Sequence, residues 1–166
     1  MEQTVSPGLG KALLINVGLL AVVCLFLLFL ALFGISDSWI CFLFLWYYAS
    51  VKQARPESWL PTVCGTLFGF ALSGLLIWLP AMLGNMVGFS VFLALIFVVV
   101  LLQVMGRFGT FINEVAFLFL TIGCIPAVQS EQRFGAHLLA LIVGIVFWSA
   151  LIELFRRLTP RGSPQQ

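Results

Sequence analysis

The sequence predicts an all-α, polytopic membrane protein: six transmembrane helices arranged as two inverted three-helix repeats. Three observations predict it. Of 166 residues, 62% are hydrophobic and only 8% are charged, whereas soluble domains are roughly half apolar and about a quarter charged. The uncharged stretches are long enough for the roughly 20 helical residues that a bilayer core demands. Finally, the chain matches itself in two separated places when shifted by 75 positions. The same composition excludes a soluble enzyme and a disordered segment, which needs low hydrophobicity. A net charge of +2 without a basic stripe argues against nucleic-acid binding.

The elements follow in order. Residues 1–11 form a short N-terminal segment. No charge occurs between Lys11 and Asp37, and Ala12 to Phe33 fills the first span. That run is longer than the apolar region of a signal peptide and lacks a clean small-x-small cleavage site, so it reads as a retained span. The second segment, Trp39 to Ala49, is short and aromatic, either a full crossing or a re-entrant stretch. Pro80, Gly84 and Asn85 punctuate the long uncharged run between Glu57 and Arg107, giving spans at Trp59–Pro80 and Val87–Val104. A fifth runs from Thr110 to Val128 and contains Glu114. A sixth runs from Phe134 to Leu154, and residues 159–166 form a tail. The membrane domain is thus 12–158, with repeat one over about 12–80 and repeat two over about 87–155.

Charge placement tests this layout. Six crossings put Lys11, Lys52, Arg55, Arg107, Arg156, Arg157 and Arg161 on one side and Arg133 alone on the other. Basic residues collect on the cytoplasmic side, so both termini are expected there.

In the 75-residue shift, Phe42-Leu43-Phe44-Leu45 falls on Phe117-Leu118-Phe119-Leu120. Gly65 falls on Ala140, Gly69 on Gly144, and Leu76, Ile77 and Leu79 on Leu151, Ile152 and Leu154. An odd number of spans per unit makes the second copy enter from the opposite side, as in inverted-repeat transporters. The alternative is a duplicated scaffold with no pathway.

Several residues stand out. Gly65, Gly69 and Ser73 share one face of the third span, and Ala140 and Gly144 share one on the sixth. Small faces allow close backbone approach in lipid; they fit packing of these two spans at the bundle centre, or a homodimer face. Phe42, Phe44, Phe117 and Phe119 lie on the two short segments. One of each pair is placed to form an apolar constriction against hydrated ions; core or lipid-facing packing is the plainer reading. Glu114, preceded by Asn113, is the one acid inside a span away from the arginine-rich end. Intramembrane acids are functional candidates, unless this one sits at the interface capped by Arg107. Glu153 has Arg156 and Arg157 at ion-pair spacing. His137 reads as a solvated interfacial residue, Trp148 as core, and Trp39, Trp59, Trp78 and the Tyr47-Tyr48 pair as interfacial anchors. Cys24, Cys41, Cys64 and Cys124 lie in apolar runs without ligand spacing, as small hydrophobes do. No catalytic motif, cofactor site or metal site is read.

On the strength of Trp39-x-x-Phe42, the polar gap after Tyr48-Ala49, the glycine-bearing third span and the second copy from Phe117 to Gly144, the chain resembles the small bacterial inner-membrane proteins of domain-of-unknown-function family 1097. The likeness covers about residues 30–155. It implies a multi-pass protein of the bacterial inner membrane, and no functional residue transfers with it. The chain departs from the family at Lys52–Pro56 and at Asn113-Glu114, which makes Glu114 look particular to this protein. The function expected is a channel or facilitator for a small uncharged solute. The alternatives are a proton-coupled transporter using Glu114, or a structural or regulatory subunit binding a partner protein. The partners expected are the lipid bilayer and a possible second copy of the chain.

Overall fold

The computed structural model describes residues 8–129 and 134–158, all helices and connecting loops. The segment 1–7, Arg133 and the tail with Arg161 lie outside the described residues. The chain divides into two units, residues 1–38 and 39–166.

The first unit is one helix, α1 (Leu9–Leu32). At about 1.5 Å per residue it exceeds the roughly 30 Å hydrocarbon core. Its apolar residues surround it on all sides, as on a lipid-facing helix. It stops at Gly34, whose φ of 67° suits the left-handed position after a helix. There Gly34 N–H donates to the Ala31 carbonyl and Ile35 N–H to that of Leu30 (3.1 and 2.9 Å), closing two carbonyls that the helix leaves open.

The second unit starts with α2 (Ser38–Trp46), which runs on into a π-helical turn at Tyr47–Val51. Next comes α3 (Pro56–Leu83). Pro56 occupies the first helical position, where a missing N–H costs nothing, so α3 starts before the expected Trp59. A single residue, Gly84 (φ 83°), turns the chain into α4 (Asn85–Val104). A side chain at Gly88 would collide with the backbone of Leu79 and Pro80, so α4 folds back tightly on α3. Gly106 ends α4 as Gly34 ends α1, with Arg107 N–H donating to the Leu102 carbonyl at 2.9 Å.

α5 (Glu114–Gly123) and the single turn α6 (Pro126–Gln129) stand where one span over Thr110–Val128 was expected. The reason is local. Phe108 takes a left-handed conformation (φ 58°), Asn113 is extended and caps the helix start, and Pro126 has no N–H to continue the helix. α7 (Phe134–Leu158) outlasts the expected Leu154, its last turn held by ion pairs from Arg156 and Arg157 to Glu153.

Among the described residues, four helices are thus long and apolar enough to cross a membrane: α1, α3, α4 and α7. The two short segments, 38–51 and 114–123, are apolar but shorter, about 21 and 15 Å long against a core of about 30 Å. Leu72, Phe92, Val99, Ile112 and Leu120 form a buried cluster joining α3, α4 and α5.

The small-residue faces do not pack on each other. Each packs on a short helix of the other half. A side chain at Gly69 would strike the Ala116 backbone, and one at Gly65 would strike Asn113 and Val115. Ser73 lies against Gly123. On α7, a Cβ at Gly144 would stand 2.7 Å from the Cβ of Cys41, and the Cys41 thiol donates to the Ala140 carbonyl at 3.1 Å. The pairing is therefore α3 with α5, and α7 with α2.

Candidate functional site

The site is built where the end of α2 meets the start of α5. Asn113 has an extended backbone, and its side-chain Oδ1 accepts from Ala116 N–H at 3.2 Å. This is N-capping by a short polar side chain. The other end of the same amide, Nδ2, donates to the Pro61 carbonyl of α3 at 2.9 Å. Asn113 thereby fixes α5 on α3.

Capping places Glu114 at the first residue of α5, where the partial positive charge of the helix favours an acid. Its Oε2 accepts from Tyr47 Oη at 3.1 Å and pairs with Lys52 Nζ at 3.0 Å. Lys52 also lies over the Tyr47 ring, 5.6 Å from its centroid. The Glu114 carboxylate holds the Lys52 ammonium above the usual lysine range, because an opposite charge favours the ionised form. The Glu114 side chain is 70% exposed, so the pair contributes only about 0–1 kcal/mol. A cleft of about 240 Å³ lies beside it, lined by Tyr47, Lys52, Thr62, Asn113 and Val115 among others.

The other candidates are distributed along the two helix pairs. Phe44 and Phe119 are buried, while Phe42 and Phe117 are half-buried. Phe42 packs against Trp148 of α7, with centroids 5.7 Å apart. Phe117 joins the α3–α4–α5 cluster. Phe44 stacks on Tyr48 at 6.0 Å. Gly65, Gly69 and Ser73 line the α3–α5 seam, and Ala140 and Gly144 line the α2–α7 seam. His137, expected at a solvated interface, is buried with Trp39 edge-on to it at 5.7 Å. Tyr47 and Tyr48 are likewise buried rather than anchoring at the surface. Trp148 is buried, and Trp39, Trp59 and Trp78 remain partly exposed.

Two partners of Glu114 escaped the sequence reading. Tyr47 and Lys52 are 67 and 62 residues away, and nothing in the local pattern links them. A third feature was also missed: Gln129 Nε2 donates to the Gly123 carbonyl at 3.0 Å and to the Ser73 carbonyl at 3.4 Å. It closes the C-terminal end of α5, so side-chain amides cap both ends of this short helix.

Among the described residues, four helices long and apolar enough to cross a membrane, with two shorter apolar ones, make an all-helical structure compatible with an integral membrane protein. Comparison with protein-family models, with curated proteins and with solved structures finds no match.

Proposed function

We propose that the protein is an inverted-repeat facilitator, opening a path for a small uncharged solute between its two halves. One observation carries the repeat. Gly69 packs on Ala116, and Gly144 packs on Cys41. Moving 75 positions along the chain turns Gly69 into Gly144 and Cys41 into Ala116. The two contacts are therefore the same contact with the halves exchanged, which is what a pseudo-two-fold axis requires.

Burial follows the same register. The buried Ile40, Cys41 and Phe44 of α2 correspond to the buried Val115, Ala116 and Phe119 of α5. The buried Thr62, Gly65, Thr66, Gly69, Phe70 and Ser73 of α3 correspond to His137, Ala140, Leu141, Gly144, Ile145 and Trp148 of α7. The correspondence covers α2–α3 and α5–α7. For α1 and α4 the support is the common glycine stop, at Gly34 and Gly106, two positions 72 apart.

Inverted halves produce similar vestibules on the two sides of a membrane. The seams are lined by small, uncharged residues, among them Gly65, Gly69, Ser73, Ala140 and Gly144, and Glu114 beside them is paired and outward. A path between such halves carries no fixed charge, which suits an uncharged solute and opposes ions through the cost of removing their water. The experiment is solute-induced swelling of proteoliposomes with a panel of small polar and apolar solutes. Flux above empty liposomes for at least one neutral solute is expected, unchanged in Glu114→Gln. No flux for any solute overturns the proposal, and loss of pH-dependent flux in Glu114→Gln replaces it with a proton-coupled transporter.

A further inference from the structure

The cleft beside Glu114 opens along the start of α3, where Ser58, Pro61 and Thr62 form part of its wall. Its volume is about 240 Å³. A water molecule's share of the liquid is about 30 Å³, so a molecule of a few heavy atoms fits. Lys52, partly exposed, lies at the rim, whereas Thr62 is fully buried. One helical turn further along the same face of α3 lies Thr66, also fully buried. Side chains on a helix lean toward its N-terminus, so Thr66 leans back toward Thr62 and the inner end of the cleft.

The two threonine hydroxyls differ in how they are engaged. A hydroxyl within a helix commonly donates to the carbonyl four residues back. Thr62 donates to Ser58 at 2.7 Å, Thr121 to Phe117 at 2.7 Å and Ser90 to Met86 at 2.8 Å. Thr66 does not: its buried Oγ1 has no hydrogen-bond partner among the described residues. Such a group costs stability, and a valine would fill the same space without that cost. The neighbouring polar groups are already committed. Asn113 Nδ2 donates to the Pro61, Gly109 and Thr110 carbonyls, and Lys52, the one charged residue of the lining, is paired with Glu114. What remains is a donor and acceptor at Thr66 and the spare lone pairs of Thr62, about 6 Å apart along the helix.

We propose that Thr62 and Thr66 form a binding site for a small neutral solute bearing hydroxyl or amide groups, entered through the cleft beside Glu114. The proposal rests on the facilitator reading for the fate of the bound molecule, and it names that molecule's class. A hydroxyl or amide compound supplies both the acceptor for the Thr66 proton and a donor for the Thr62 oxygen. An ion finds no unpaired opposite charge here and would lose its water. In the 75-residue register Thr62 and Thr66 correspond to His137 and Leu141. The second half therefore lacks the hydroxyl pair, and the site occurs once per chain although the packing is repeated.

The test is methyl NMR of the full-length protein in neutral detergent, labelled at threonine and titrated with glycerol, urea or tetramethylammonium. The chain has six threonines, so single substitutions assign the signals. Glycerol or urea is expected to shift Thr62 and Thr66 in a saturable manner, with Thr121 unmoved and no saturable shift from the cation. Thr66→Val keeps the shape and removes the hydroxyl; it should weaken binding about fivefold, read at Thr62, the weight of one hydrogen bond. Its melting temperature should hold or rise, and its flux of the bound solute in proteoliposomes should fall. Shifts that never saturate, that are equal at Thr121, or that the cation reproduces overturn the site. Saturable binding without flux in the unaltered protein supports the site and overturns the facilitator. Flux without saturable shifts, unchanged in Thr66→Val, overturns the site and leaves the facilitator standing. Should Thr66→Val fail to fold, the titration of the unaltered protein decides.

Discussion

Glu114 was singled out because an acid inside a span is costly, and its surroundings remove most of that cost. Capping by Asn113 sets it at the first turn of α5, and Lys52 and Tyr47 complete its partners. The pair is exposed, so its effect on stability is small, but its effect on Lys52 chemistry is measurable. The raised lysine keeps its proton until the pH climbs through its raised value, beyond the ordinary 10.5; while the Glu114 carboxylate is ionised, the lysine's contribution is fully present up to 10.5 and is lost only above it. At pH 9 the neutral, nucleophilic amine is therefore scarcer than in an isolated lysine. We expect Lys52 to react more slowly with an amine-modifying reagent in the native protein than in Glu114→Gln, read by peptide mass spectrometry. Equal rates would show that the ion pair is not formed in solution.

At the level of elements, α5 is the least ordinary. About 15 Å of helix in a bilayer leaves several N–H and C=O groups without helical partners, at a cost of several kcal/mol each when water is absent. Asn113 takes one end and Gln129 the other. Asn113→Ala and Gln129→Ala should each lower stability by about 1 kcal/mol, in the range of lost caps and buried hydrogen bonds. Thermal melting in detergent checks this; unchanged melting for both would mean that water serves these ends instead. Hydropathy located α1, α3, α4 and α7, with Pro80, Gly84 and Asn85 marking the break between α3 and α4, because a long apolar run has few other uses. It overextended α5, since the continuation past Gly123 is equally apolar and only Pro126 and the two amides mark the true bounds. Asn113 was visible as the polar residue before Glu114, while its capping role follows from the extended backbone at that position. The hydrogen bond from Trp59 Nε1 to Ser149 Oγ joins residues 90 apart and leaves no local trace.

For the whole molecule, the exchange of contacts between halves makes a paired prediction. Gly69 and Gly144 meet backbone or Cβ atoms of the opposite short helix with no room for a side chain. Gly69→Val and Gly144→Val should each destabilise by about 1–3 kcal/mol or more through overpacking, and by comparable amounts. Gly18→Val is the control, since nothing lies within 4 Å of a Cβ at Gly18. A large loss at one glycine with none at the other would break the symmetry. The 75-residue register on which the proposed repeat rests was readable in the sequence through Phe42–Leu45 and the glycines, because small residues at a seam are restricted in kind. Which helix each glycine face meets was not readable: α3 and α7 offer similar faces, and α3-on-α7 satisfies the pattern as well as the observed pairs do.

That crossed pairing also dictates an order of assembly. α3 presents Gly65 and Gly69 to a helix that begins at Glu114, and Cys41 waits for a carbonyl 99 residues later. During synthesis α2 and α3 therefore emerge with their closest-packing surfaces unfilled, because the residues that fill them lie on α5 and α7. Neither half is finished until the other arrives. The α2 surface around Cys41 is covered only by α7, so this seam cannot close before α7 has been made.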